Sequence, residues 1–344
     1  MILSVLLLIF SGFEIELEPV DQEITLQRRI NLSADGEFYA GTRNYLYIWR
    51  RDGSLRLRIG GPELSQPTSY HFDGSHYLVC EVVASGGVTH VYDYQGHHLF
   101  QADFYTHQFR VIDGDLFAFP LPLQNDTWPH EFPTQFQKLN YHVGPEGLAY
   151  SFGSPAFGKM TQKQQDLIYN FKLVWAVKVN DTYHLVNQIE PRVYHYTPEG
   201  IEKDRIGGPD FPTSVGFTTL SLDSFSQLQS YFSPPKGLYD NEEMAIMNAQ
   251  WWHSFSQISG FYAYRNGFVV SYTIPQCEQG DCTDSKAVVQ RLDSQFRPVG
   301  EPMETNGYFL GVYRDQLNFF HNRNKLDAKG ESVGLVPTIA VEDL

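Results

Sequence analysis

The chain has 344 residues, 42% of them apolar and 15% aromatic, with 40 acidic against 25 basic side chains and a net charge of −15. So many aromatics exclude a disordered chain and favour strands, where rings pack across a pleated surface. The lack of any basic tract excludes the electrostatic footprint of a nucleic-acid binder, and the acidic balance argues against docking onto anionic membrane.

In chain order, residues 1–10 form an apolar run as long as the core of a secretory signal and too short to span a bilayer. A positively charged stretch before it is missing, and a buried first strand is the competing reading. The reading carried forward is a signal peptide over 1–12 and an extracytoplasmic protein, periplasmic or secreted, that is not integral to the membrane. Phe13–Glu18 then alternates apolar and acidic residues, as a strand with one buried face should.

Repeats follow. Tyr45–Trp49 is aromatic, Asp52-Gly53 offers a reversal, a short strand resumes at Leu55, and Arg58-Ile-Gly-Gly-Pro-Glu63 ends the unit. The same succession returns as Val193–Tyr196, Glu199-Gly200 and Arg205-Ile-Gly-Gly-Pro-Asp210. Weaker copies turn at Gly96, at Gly147 and after Asp293. Glycine supplies the positive φ that a tight reversal needs, and an alternating or aromatic run before it marks a half-buried strand.

Two further strands precede the later reversals. They are Thr68–Phe72 with His76–Val83, Gln108–Ile112 with Leu116–Phe119, Lys172–Val179 with Tyr183–Val186, and Gly260–Tyr264 with Gly267–Tyr272. A final set, Tyr308–Tyr313, Leu317–Phe320 and Val333–Val336, lacks an outer strand, and Phe13–Glu18 is expected to supply it. Four strands per unit, repeated radially, make a propeller. The expected fold is therefore all-β: one six-bladed β-propeller over 13–344, with the N-terminal strand closing the last blade and short helical insertions.

This pattern resembles the NHL-repeat and TolB-like six-bladed propellers, including their bacterial exported branch, over nearly the whole chain. The resemblance implies the fold and a tendency toward protein or ligand binding. It brings no catalytic motif to these residues.

Uneven spacing marks insertions. Pro120–Lys138, with its prolines and polar residues, reads as irregular chain. Thr161–Gln164 matches a capping box before a helical stretch ending near Phe171. Pro212–Ile258 is the longest; within it Asp240–Glu243 reads as an acidic helix start, with Met244, Met247 and Trp251 on one face. Asp240, Trp251, Trp252 and His253 are the candidate binding residues, as the contact surface of a lid beside the central channel. The competing reading packs that stripe onto its own scaffold.

Motifs for catalysis, metal or cofactor are not found, so no catalytic residue, metal ligand or cofactor is assigned. His97 and His98 are adjacent and, in a strand, point to opposite faces, so they are not expected to share a metal. Cys277 and Cys282 frame a turn between two strand-like runs and are expected to form a disulfide in an oxidising compartment, while Cys80 reads as a buried apolar residue. The expected function is that of a non-enzymatic, monomeric binding propeller. Its ligand would be a protein, peptide or glycan on a channel face, with no nucleic acid involved. The alternative is a hydrolase or lyase whose residues, gathered from several blades, leave no linear motif.

Overall fold

The computed structural model describes residues 13–20, 30–42, 44–65, 67–83, 86–104, 106–120, 136–157, 174–188, 191–206, 216–219, 253–278, 281–305, 307–326 and 332–342. Every regular element among them is a β-strand, and the strands form six four-stranded antiparallel sheets. Blade 1 is β2 (Asn31–Leu32), β3 (Phe38–Gly41), β4 (Tyr45–Trp49) and β5 (Leu55–Gly60). Blade 2 is β6 (Pro67–Phe72), β7 (His76–Val83), β8 (Gly86–Asp93) and β9 (His98–Ala102). Blade 3 is β10 (Thr106–Ile112), β11 (Asp115–Pro120), β12 (Phe136–Gly144) and β13 (Gly147–Phe157). Blade 4 is β14 (Val174–Val179), β15 (Thr182–Asn187), β16 (Val193–Tyr196) and β17 (Glu202–Ile206). Blade 5 is β18 (Ile258–Tyr264), β19 (Gly267–Glu278), β20 (Asp281–Leu292) and β21 (Pro298–Glu304). Blade 6 is β22 (Tyr308–Tyr313), β23 (Gln316–Leu326) and β24 (Ser332–Glu342), completed by β1 (Phe13–Glu16).

The first strand of each blade lies innermost, against its counterparts in the neighbouring blades. Because each sheet is a meander, its first and third turns lie on one face of the disc. The middle connection and the link to the next blade lie on the other. We call these the turn face and the loop face.

Period-two alternation buries both sides of the sheets. In β4, Leu46 and Ile48 pack toward blade 2, while Tyr47 and Trp49 pack toward blade 6. The core is thus a ring of apolar wedges between successive blades rather than one central mass. β1 closes that ring by pairing with β24 from Phe13↔Val341 to Glu16↔Thr338, which covers the edge that blade 6 would otherwise expose.

The repeat signature has a steric reason. Ile59 is fully buried, and Gly60 takes φ +114°; a Cβ there would lie 2.5 Å from the Asn44 carbonyl oxygen. The third turns of blades 1, 2, 4 and 5 share one geometry, with paired bonds such as Asp93 N to His97 O at 2.9 Å and Gly96 N to Asp93 O at 3.0 Å. In blades 2, 4 and 5 the first-position side chain accepts further amides: Asp93 takes Gln95 and His97, Thr197 takes Glu199 and Ile201, and Asp293 takes Gln295 and Arg297.

One expectation is corrected. Of the span read as irregular chain, Pro120 ends β11 and Phe136–Lys138 begin β12. Gln137 and Lys138 pair with β11 on one side and β13 on the other, across a bulge that breaks the local alternation and hides the strand in the sequence. The expected helical stretches at 161–171 and 240–251 lie outside the described residues.

Candidate functional site

The six inner strands turn their unpaired edges to the axis, and around it lies a cavity of about 850 Å³. It reaches the turn face, because its lining includes the first-turn residues Asp35, Asp73 and Asp113–Asp115 of blades 1, 2 and 3. The rim on the blade 3 and 4 side is neutralised in pairs. Lys178 Nζ lies 2.7 Å from Asp113 Oδ2, and Lys138 Nζ lies 2.7 Å from Asp115 Oδ1. The bond to Asp113 holds the Lys178 ammonium above its usual range.

Below the rim the wall is aromatic and hydroxyl-bearing. Tyr39 and Tyr70 meet edge to face with centroids 4.5 Å apart. Burial pushes the Tyr39 hydroxyl up to about 12 and raises Tyr70 as well, so both remain neutral donors. Tyr141 is also raised, by burial and by the charge of Asp73, whose carboxylate it hydrogen-bonds. For Asp73 itself burial works upward, but the amides of His76 and Ser75 together with the Tyr141 hydroxyl outweigh it. The group titrates below the usual carboxylate range.

His71 sits between these groups, its ring 6.0 Å from those of both Phe109 and Tyr141. Burial lowers its pKa against the pull of Asp73 and Asp35, so a neutral imidazole faces the cavity at neutral pH. Trp175 completes the wall from blade 4. It is 2% exposed, and its indole N–H has no hydrogen-bond partner among the described residues. A buried donor left without an acceptor is uncommon and asks for an explanation.

The residues singled out from the sequence lie elsewhere. His253 places Nδ1 3.3 Å from Ser285 Oγ, near the start of β20 and therefore on the loop face. Asp240, Trp251 and Trp252 lie outside the described residues. Cys277 is disulfide-bonded and stands opposite Cys282 in the β19–β20 register. Cys80 is a buried thiol, its Sγ 3.1 Å from Thr89 Oγ1, and burial pushes it up to about 11. His97 turns to Asp93 at 3.0 Å, while His98 turns to His90 at 3.1 Å. Tyr39, His71, Asp73 and Tyr141 were missed by sequence reasoning; they lie on or next to the second, first and third strands of three different blades and share no local signal.

The geometry defines the class of protein, a six-bladed β-propeller with a ligand-sized axial cavity. No protein-family model matches the chain, and no curated protein does. Solved structures do. A Bacteroides fragilis protein provisionally assigned as exported is 12% identical, covers 98% of this chain and 96% of its own, and superposes with a TM-score of 0.52. That likeness supports the fold. A Bacteroides caccae protein of unknown function (10% identity, 83% of this chain and 84% of its own) has a TM-score of 0.42. A provisionally assigned 6-phosphogluconolactonase of Bacteroides fragilis (11% identity, 89% and 82%) has one of 0.40. Among the described residues, no helix is long and apolar enough to cross a membrane.

Proposed function

We propose that this protein is an extracytoplasmic binding propeller of the NHL/TolB-like kind, holding a glycan in the axial cavity at its turn face. One observation carries the reading: a cavity of about 850 Å³ whose wall combines ring faces, neutral phenols, a neutral imidazole and ionised Asp73. Its size falls in the range of small-ligand sites. Ring faces suit the C–H surfaces of a sugar, while Asp73, His71 and the phenols match its hydroxyls. The apolar leader and the disulfide-bonded Cys277, which we pair with Cys282, support the location.

The test is binding of the full chain to a glycan array, with calorimetry on the best hit. His71→Ala and Asp73→Asn should each weaken binding about tenfold to a hundredfold, the usual range for a hydrogen bond to a charged or buried partner. Unchanged affinity in both folded variants would overturn the reading, as would capture of peptides alone. A lyase or hydrolase reading gains support from His71 standing beside Asp73 and Tyr141. It requires chemical turnover of the captured glycan, lost in the same variants.

A further inference from the structure

On the turn face, blades 5, 6 and 1 carry a strip of arginines set on aromatic rings. Tyr264 ends β18, and the guanidiniums of Arg265 and Arg291 lie over its ring, 4.9 and 5.8 Å from the centroid. Tyr313 ends β22, and those of Arg51 and Arg314 lie over its ring at 5.4 and 5.2 Å. Arg51 also stands 5.2 Å over Phe38, and its Nη1 donates to Asn318 Oδ1 at 2.6 Å. The turns of blades 5 and 6 touch, because the Arg265 amide donates to Asp315 Oδ1 at 3.1 Å. The strip is therefore continuous.

Its charge is not spent inside the protein. Among the described residues, Arg51, Arg291 and Arg314 form no ion pair, and Arg314 is exposed. The carboxylates of the same turns are engaged by backbone and hydroxyl donors: Asp52 takes the Ser54 amide and hydroxyl, and Asp315 takes the Arg265 amide. Burial works against the charge of Arg51, Tyr313 supports it, and the neighbouring charge of Arg314 opposes it again. Like charges beside one ring attract an anion. A guanidinium seated on a ring still offers its planar fork of donors, which matches the oxygens of a carboxylate or sulfate. Such a patch stands out in a chain of net charge −15.

The strip borders the axial mouth. Tyr262 and Val312, which line the cavity, lead directly into the ends of β18 and β22. The acidic residues of the rim, Asp35, Asp73, Asp113 and Asp115, belong to the first turns of blades 1, 2 and 3. A ligand seated in the cavity thus meets carboxylates on one side and guanidiniums on the other.

We propose that this strip binds acid groups of the glycan, so that the ligand is an acidic oligosaccharide carrying singly charged carboxylates or sulfates on residues beyond the cavity. The inference rests on the glycan reading and assigns its substrate class.

The experiment is calorimetry on the full chain with uronate trisaccharides beside their methyl esters, and sulfated trisaccharides beside their desulfated forms. The two arms tell carboxylate from sulfate. The acidic form should bind about 10–100-fold tighter than its neutral counterpart, and molar salt should erase most of that preference. Arg314→Ala should weaken the acidic form about threefold to tenfold and leave the neutral form unchanged. Arg314→Lys should restore only part of the loss, because an ammonium lacks the planar fork. Arg297→Ala should change neither, since that guanidinium is held by Asp293 at 2.7 Å. His71→Ala should weaken both forms equally, so the strip and the cavity are read separately. Melting curves establish that each variant folds. If the native chain binds acidic and neutral forms alike, or Arg265→Ala with Arg314→Ala keeps the preference, the strip proposal is wrong while the cavity reading stands. If no glycan of either kind binds, both fall.

Discussion

At the turn position that Gly53, Gly96 and Gly200 fill in blades 1, 2 and 4, blade 5 carries Phe296 at φ 61°. A left-handed non-glycine residue costs roughly 1–2 kcal/mol. The ring offsets this by burial: it is 4% exposed, stacks 4.5 Å from Phe268, and lies 5.2 Å from His184 and 5.3 Å from His195. Full burial of such a side chain contributes about 1.5–3 kcal/mol, enough to win. The same wedge depresses His184. Burial, then the charges of His195 and Lys203, push it down to about 4. Since that is below the unfolded value of about 6.5, the unfolded chain takes up the proton first. The His184 contribution is therefore whole above pH about 6.5 and is lost as pH falls toward about 4. Urea unfolding should show a loss of roughly 1–2 kcal/mol between about pH 7 and 5, after allowance for screening, and His184→Phe should flatten that decline. A variant that weakens in parallel with the native chain would clear His184 of responsibility. In the sequence, Asp293 marks this turn, yet the reason for a phenylalanine three residues on lies in blade 4, beyond the reach of any local pattern.

Among the elements, β1 was the most legible, because Phe13–Glu18 has unbroken period two and the last blade needs an outer strand. The structure ties it to two blades. Ile15 and Leu17 enter the core between blades 6 and 1, the Trp49 indole N–H donates to the Glu18 carbonyl at 2.9 Å, and the Glu18 amide donates to Gly53 O at 2.8 Å. Gly53 is fixed by the same contact, since a Cβ there would lie 2.1 Å from the Glu16 carbonyl oxygen. Ile15→Asp should therefore cost about 3 kcal/mol or more by burying an unpaired carboxylate, whereas Phe13→Ser, at a side chain 52% exposed, should stay within about 0.5 kcal/mol. Equal urea midpoints for the two variants would show that the strand does not close the ring. The cavity was not legible in this way. Tyr39, His71 and Tyr141 lie on β3, β6 and β12, and only closure of the ring brings them to one axis.

At the scale of the molecule, the two faces have separate characters. Tight turns dominate one face, where the cavity ends, while the segments 121–135, 158–173 and 207–257 begin and end on the other, all within the sector of blades 3, 4 and 5. A contact surface built on His253 would thus act at the opposite end of the axis from His71 and Asp73. The two sites can be separated because the long insertion is knitted shut at its base. Ser256 N donates to the Thr218 carbonyl at 2.8 Å, Thr218 N donates to Ser256 Oγ at 2.9 Å, and Phe217 packs 5.6 Å from Tyr272. Replacing 220–252 with a short Gly/Ser link leaves those anchors in place, and loop closure changes slowly with length, so the blades should keep their stability. Glycan affinity measured on this excised chain should match that of the native one. If the excised chain folds but no longer binds, recognition belongs to the excised segment and its Trp251–His253 surface, because the cavity-lining residues described above are unaltered.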